Sequence, residues 1–565
     1  MPPPQRTTSL DPIVFRDFTP GIADVPAAGY KTETATRQNT YRCIANRAGA
    51  LVPLPRRTVP FALPHYTADY PIAVVGVFVP GIGLLPKTGT SISFNPDDYP
   101  EHELFVGTEY VNGSTLNHQL LRYRRFDSTG TGVDVVKSTS NTWTPWPVGD
   151  NPFHPSGIAF ATTRSNRADY AQPGCPVTIV SGFGYLTEFP DDQNQTSITP
   201  YDIFSGFYPT PGSLFIIDMT THQGRVVLDI ATVYDHGPNT ITFMGENVMW
   251  SFFNDVTPAR FGTWNGADPT DAANFDTTPK VFIPENPSGF AFMVSMSANE
   301  LFFVKGGHGG GYVTGSLDTG TIVSLPMVTG SDIVHTPAVT PIGVVYGNRT
   351  SGVWAWGHGD NSTLLSPQMH PDFWVLPPGH DLDDFGGKGY SFAHLSDWVF
   401  APNNFLYDIE LKSWWRLEDP AVATFRWMSA NWHFVYAAES YYTNTDDTPV
   451  HCFKREDPAP SFSWQSHPIW QSVGDIVNVN NIEVVAEGRG TVALTLTALD
   501  GDTRSIEITL ADCGFPERFR EAFAIRGQYL QLRIRSEAPA AGVPAPTVYS
   551  VTLYPHTEQP IGRTL

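Results

Sequence analysis

IGVVYGNRTSGVWAWGHGDNSTLLSPQ, residues 342–368, decides how this chain folds. Val344, Val345 and Tyr346 make a short run of β-formers, Gly347 to Gly352 turn the chain, and Val353 to Trp356 bring it back. Gly357-His358-Gly359-Asp360 then turns it again. The pattern is a hairpin. It recurs in residues 387–420, GKGYSFAHLSDWVFAPNNFLYDIELKSWWRLEDP. There Trp398 to Phe400, Phe405 to Tyr407 and Lys412 to Leu417 are separated by Pro402-Asn403-Asn404 and by the corner from Asp408 to Leu411. Short antiparallel strands joined by tight turns build propeller blades or sandwiches, because each turn lets the next strand pair with the last.

Outward from these hairpins, the span from Ala73 to about Glu456 is strands and turns, and no segment keeps a helical period over three turns. A parallel βαβ architecture is therefore excluded. Hairpin pairs recur about every 50–60 residues, a rhythm that suits four-stranded propeller blades, about seven of them with six to eight fitting the spacing. Trp354, Trp356, Trp398, Trp414 and Trp415 are the expected blade-core aromatics, with Trp398 filling the space between adjacent blade sheets. Alternation along a strand places at least half of them inside a blade.

Two flanking segments differ in character. Residues 1–66 have no sustained period and many prolines, and read as an extended N-terminal arm ordered by whatever it lies against. Within the arm, Tyr41 to Ala45 predicts a strand, Asn46-Arg47-Ala48-Gly49 a turn and Ala50 to Val52 a return strand. After the linker Pro458-Ala459-Pro460, the runs Ile482–Ala486, Val492–Ala498, Ser505–Leu510, Tyr529–Ile534 and Val548–Tyr554 alternate apolar with polar, as half-buried antiparallel strands do. These predict an antiparallel β-sandwich over 461–565, with Glu517 to Phe523 as its one helical turn. The fold class is all-β: arm 1–66, β-propeller 67–460 and C-terminal sandwich 461–565.

Composition narrows the function. With Gly 49 and Pro 50 in 565 residues, turns are frequent, while charged residues at 16% fall below the usual quarter, as on a surface meant to be covered by partner subunits. The net charge of 34 − 56 = −22 opposes a grip on nucleic acid, which needs Lys and Arg against phosphates. Cys43, Cys175, Cys452 and Cys513 are widely spaced, with neither a CxxC nor a zinc-like His spacing, and read as buried thiols. No early apolar run and no membrane-length run occurs, so a soluble chain made in a cytosol, without stable membrane insertion, is expected.

The chemical motifs give little. Gly306 to Gly311 and Gly386-Gly387-Lys388-Gly389 lie between strand-like runs and lack the Lys-Ser/Thr ending of a phosphate loop, so both read as inter-strand loops. His380 to Asp384, Asp191-Asp192 and Asp446-Asp447 lack the regular acid spacing of a calcium loop and read as solvated turns. Ser316 to Thr321 opens like the Asp-box turn of sialidase propellers, but Ile322-Val323 stands where Thr-Trp should close it. No residue set supplies a positioned acid and base, so no catalytic residue, metal or cofactor is expected and the chain is not expected to be an enzyme. On the arm, Arg42, Arg47, Arg56 and Arg57 form either a solvated basic face or a docking surface for an acidic neighbour: the next subunit, the chain's own sandwich or a ring above it.

Three stretches carry a resemblance. NTYRCIANRAGALVPLPRR, residues 39–57, resembles the N-terminal signature of phage tail-tube proteins of the nozzle kind, ending in LPRR where Arg-Pro-Gly is more usual. Residues 343–366 and 397–419 are similar to the late propeller blades of such proteins. RGQYLQLRIRSE, residues 526–537, and YSVTLYPH, residues 549–556, resemble their closing sandwich. The resemblance implies a structural virion protein, a tail nozzle or tube component assembled in the host cytoplasm as a hexameric ring. That ring sits below the portal and adaptor, and DNA passes through its lumen without specific binding. The alternative is a carbohydrate-binding or glycan-cleaving propeller, receptor-binding or sialidase-like, in which exposed Trp354, Trp356, Trp414 and Trp415 serve as sugar platforms.

Overall fold

The computed structural model describes residues 7–9, 11–24, 35–63 and 72–79, the strands of 104–282, and, apart from short connections, 290–370 and 388–558. The protein is all-β: the described residues form strands, turns and bends, with no helix among them. None is therefore long and apolar enough to cross a membrane.

The hairpin of residues 342–368 forms as its sequence dictates. Gly343–Asn348 pairs antiparallel with Gly352–Trp356, and Asn348 caps the turn by accepting from the backbone N–H groups of Thr350 and Ser351 at 3.0 Å each. Ala338–Thr340 and Thr363–Leu364 complete a four-stranded sheet. Its aromatic face packs on the preceding sheet, Phe290–Ser297, Glu300–Lys305, His308–Thr314 and Thr321–Thr329. At this contact the Phe302 and Trp356 rings stack with centroids 4.2 Å apart, and Phe292 tilts against Tyr346 at 5.4 Å. Burial of each such ring contributes about 1.5–3 kcal/mol, which is why aromatic pairs, and not the few charges, hold neighbouring sheets together.

The Gly306–Gly311 run departs from its sequence reading. His308 to Gly311 are not loop but part of the strand His308–Thr314. A Cβ on Gly311 would lie 2.5 Å from the Val323 carbonyl oxygen and 2.6 Å from Cζ of Phe303. Glycine is there because the Phe303 ring lies across the strand.

Hairpin pairing recurs along the chain, although in the sheet that begins at Leu214 the strand Arg225–Thr232 also pairs parallel with Val248–Phe253. Sheets begin at Ile72, Ala159, Leu214 and Phe290, then at Ala338, and Phe425–Ala430, Phe434–Glu439 and Thr448–Pro458 form the last of the series. That last sheet takes its outer strand from the N-terminal part of the chain: Pro55–Leu63 pairs antiparallel with Thr448–Pro458.

Residues 393–416 belong to a larger, 13-stranded sheet. It runs from Ala393–Leu395, Trp398–Ala401, Phe405–Asp408 and Ser413–Arg416 through Cys43–Ala45 and Leu51–Pro53. It continues into Thr547–Glu558, Val477–Thr497, Gln531–Glu537 and Ser461–Gln465. The boundary read at residue 460 therefore falls inside hydrogen-bonded structure. The C-terminal strands expected as a sandwich pair directly with one another in this single sheet, and the arm supplies the strands that link them to residues 393–416. The sheet curls until Ser463 at one end bridges to Tyr41, with N–H to carbonyl distances of 2.9 and 3.1 Å.

The runs read as separate strands at Ile482 and Val492 are one strand, Val477–Thr497. It pairs with Thr503–Gly527 in a long ribbon. Glu517 to Phe523, read as a helical turn, is part of that ribbon: each residue from Glu517 to Ala522 has a ladder partner between Asn481 and Ala486. Period-two alternation buries Phe523 and Ile525 and exposes Arg518 and Arg520, so pairing and burial of one face outweigh the weak local helical preference.

Candidate functional site

The arm is ordered by lying on its own chain. Ile13–Arg16 pairs with Ser550–Leu553 of the C-terminal strand, and Thr7–Ser9 with His556–Glu558. Phe15 and Phe18 are fully buried, edge-on to the Trp464 ring at 6.0 and 4.9 Å. Gly21 crosses so close to residues 413–414 that a Cβ would lie 2.5 Å from the Trp414 carbonyl oxygen. The Ile22 N–H donates to that same carbonyl at 2.8 Å. The predicted hairpin forms, with Cys43–Ala45 and Leu51–Pro53 paired and Asn46 accepting from the Ala48 and Ala50 N–H groups across the turn.

Arg42 begins that hairpin in the left-handed region, φ 59°, a conformation that costs a non-glycine residue of order 1 kcal/mol. Its surroundings hold it there. The Arg42 N–H donates to the Arg416 carbonyl at 2.8 Å, and the Leu54 N–H donates to the Arg42 carbonyl at 2.9 Å.

The bend aims the guanidinium at Glu418, whose side chain is 0% exposed. Glu418 Oε1 accepts from Arg42 Nε at 2.7 Å and from the Asp419 N–H at 2.9 Å, with Arg42 Nη2 at 2.6 Å. Arg57 Nε stands 3.2 Å from Oε2, an ionic contact without the alignment of a hydrogen bond. A buried carboxylate thus joins two points of the arm to the strand Ser413–Arg416.

Arg416 adds a third link. It is buried, donates from Nη1 to the Arg37 carbonyl at 2.7 Å and lies 4.6 Å over the Phe405 ring. Burial, with the Arg37 charge beside it, lowers its guanidinium to about 10. Further out, Arg56 Nη2 pairs with Asp457 at 3.0 Å, and Arg47 Nε with Glu410 at 2.8 Å.

All four arginines read from the sequence as docking residues therefore have carboxylate partners within the chain. Strands of the arm itself lie on the C-terminal strand Thr547–Glu558. The partners Glu418, Glu410 and Asp457, and the anchors Phe15 and Phe18, escaped the sequence reading. Nothing marks an isolated acid as the mate of an arginine 376 residues away.

The five tryptophans divide. Trp356, Trp414 and Trp415 are buried in the core; Trp354 and Trp398 are half-buried. Trp398 packs at the rim of the core, donating toward Asp408 at 3.3 Å, with Arg455 of the neighbouring sheet over its ring at 5.3 Å.

Cys43 and Cys452 are buried free thiols; burial pushes the Cys452 thiol up to about 12 and the Cys43 thiol higher still. The acidic turns at 191–192, 380–384 and 446–447 and the Asp-box-like residues 316–320 lie outside the described residues. Among the described residues no cluster of His, Cys, Asp and Glu could hold a metal ion.

No family model and no curated relative matches the chain. Among solved structures the chain is similar to an exo-beta-1,3-galactanase from Phanerochaete chrysosporium with galactose, at 6% identity over 84% of this chain and 85% of that one. The TM-score is 0.17, at which the likeness carries no argument.

Proposed function

We propose that the chain is a structural component of a bacteriophage tail, a nozzle or tail-tube subunit. It assembles into a ring below the portal and adaptor and continues the channel through which DNA leaves. One observation carries the reading. The stretches that resemble nozzle proteins, far apart in sequence, are neighbours in the fold: Cys43–Ala45 and Leu51–Pro53 pair with Ser413–Arg416 on one side and with Thr547–Glu558 on the other. The stretches at 39–57, 397–419, 526–537 and 549–556 thus all put strands into one sheet, while 343–366 forms a separate four-stranded sheet, and a resemblance that converges on one sheet is what a shared scaffold requires.

In this reading the successive sheets are propeller blades. Those starting at Ile72, Ala159, Leu214, Phe290, Ala338, Ala393 and Phe425 make seven. Their first strands follow one another: Leu214–His222 lies beside both Ala159–Ser165 and Phe290–Ser297, and Phe425–Ala430 beside both Ala393–Leu395 and Ile72–Phe78. The contact between Phe425–Ala430 and Ile72–Phe78 supports closure, and Pro55–Leu63 acts as the clasp that a closed propeller needs where its two chain ends meet. A net charge of −22 lets DNA slide past without capture.

The test is mass measurement and electron microscopy of the purified chain, alone and with adaptor and portal. The expected product is a closed cyclic particle with an open lumen that joins the adaptor. A chain that stays single under all conditions, or that turns over a glycan and stops when one loop carboxylate is replaced, would sink the reading in favour of the carbohydrate-active propeller.

A further inference from the structure

We draw no further inference here: the strongest candidate, the side-chain cluster of Arg37, Arg416 and Arg533 around the arm's turn at residues 36–40, belongs to the junction already described, and Asp24 and Asp419 of the same chain already face its charges, so it calls for no outside anion.

Discussion

Glu418 is fully buried between Arg42 and Arg57, whose side chains are only about a quarter exposed (26% and 24%). Replacing it with Gln removes both ion pairs, but each guanidinium can still reach water, so the loss should be roughly 2–3 kcal/mol, at or below the range for a fully buried pair. Arg47→Ala breaks a pair whose arginine is 80% exposed and should cost less than about 0.5 kcal/mol. Urea unfolding of the two variants checks the contrast, and equal midpoints would mean that the buried carboxylate anchors nothing. The tryptophans give a second contrast by the same measurement: Trp415→Ala should cost about 3–5 kcal/mol and rim-bound Trp398→Ala about 1–2. The thiols give a third. Only a thiolate attacks iodoacetamide, and burial holds Cys452 near 12 and Cys43 above that, so neither should be alkylated at pH 8 until the chain unfolds. Mass-mapped labelling of either residue in the folded protein would show that its burial is transient. What the sequence disclosed at this scale was local: Asn403 and Asn404 adopt φ of 61° and 67°, as asparagines in a tight turn do. The mate of Arg42 was not local, and so not legible.

Hairpins were legible for the same reason, since turn chemistry and β-forming runs lie within a few residues of one another. The 343–356 hairpin and the arm hairpin at 43–53 form where they were read. Misreadings occurred where a distant partner outweighs a local signal. Glu517 to Phe523 is strand because Asn481 to Ala486 pairs with it, and Gly309 to Gly311 is strand because Phe303 and the strand Thr321–Thr329 close over it. The second case is testable. A methyl group at Gly311 must displace either the Phe303 ring or the Val323 backbone, and Gly311→Ala should cost about 1–3 kcal/mol as overpacking. A melting temperature within a degree of wild type would mean that the Phe303 ring shifts aside at no cost.

At the scale of the molecule, the question is what the arm does for the fold. A segment with many prolines and no periodicity reads as an appendage, and its removal would then leave the remaining chain folded. Its burial argues otherwise. Phe15, Phe18, Ile22, Cys43, Ile44, Leu51 and Leu54 lie in the same hydrophobic cluster as Trp415, Trp464, Val484 and Leu553. At about 1.5–3 kcal/mol for each large side chain, their burial rivals or exceeds the whole net stability of a domain, about 5–15 kcal/mol. Deleting residues 1–57 also removes both arginines that neutralise Glu418, leaving a carboxylate buried without a counter-charge. Part of Pro55–Leu63, the outer strand of the last sheet, goes too. The truncated chain should therefore fail to fold and not merely fail to assemble: insoluble on expression, or soluble without a cooperative thermal transition and with near-ultraviolet circular dichroism lost. A truncated chain that melts cooperatively near the wild-type temperature would show that the C-terminal sheet closes without the arm, and the junction around Glu418 would then belong to assembly and not to folding.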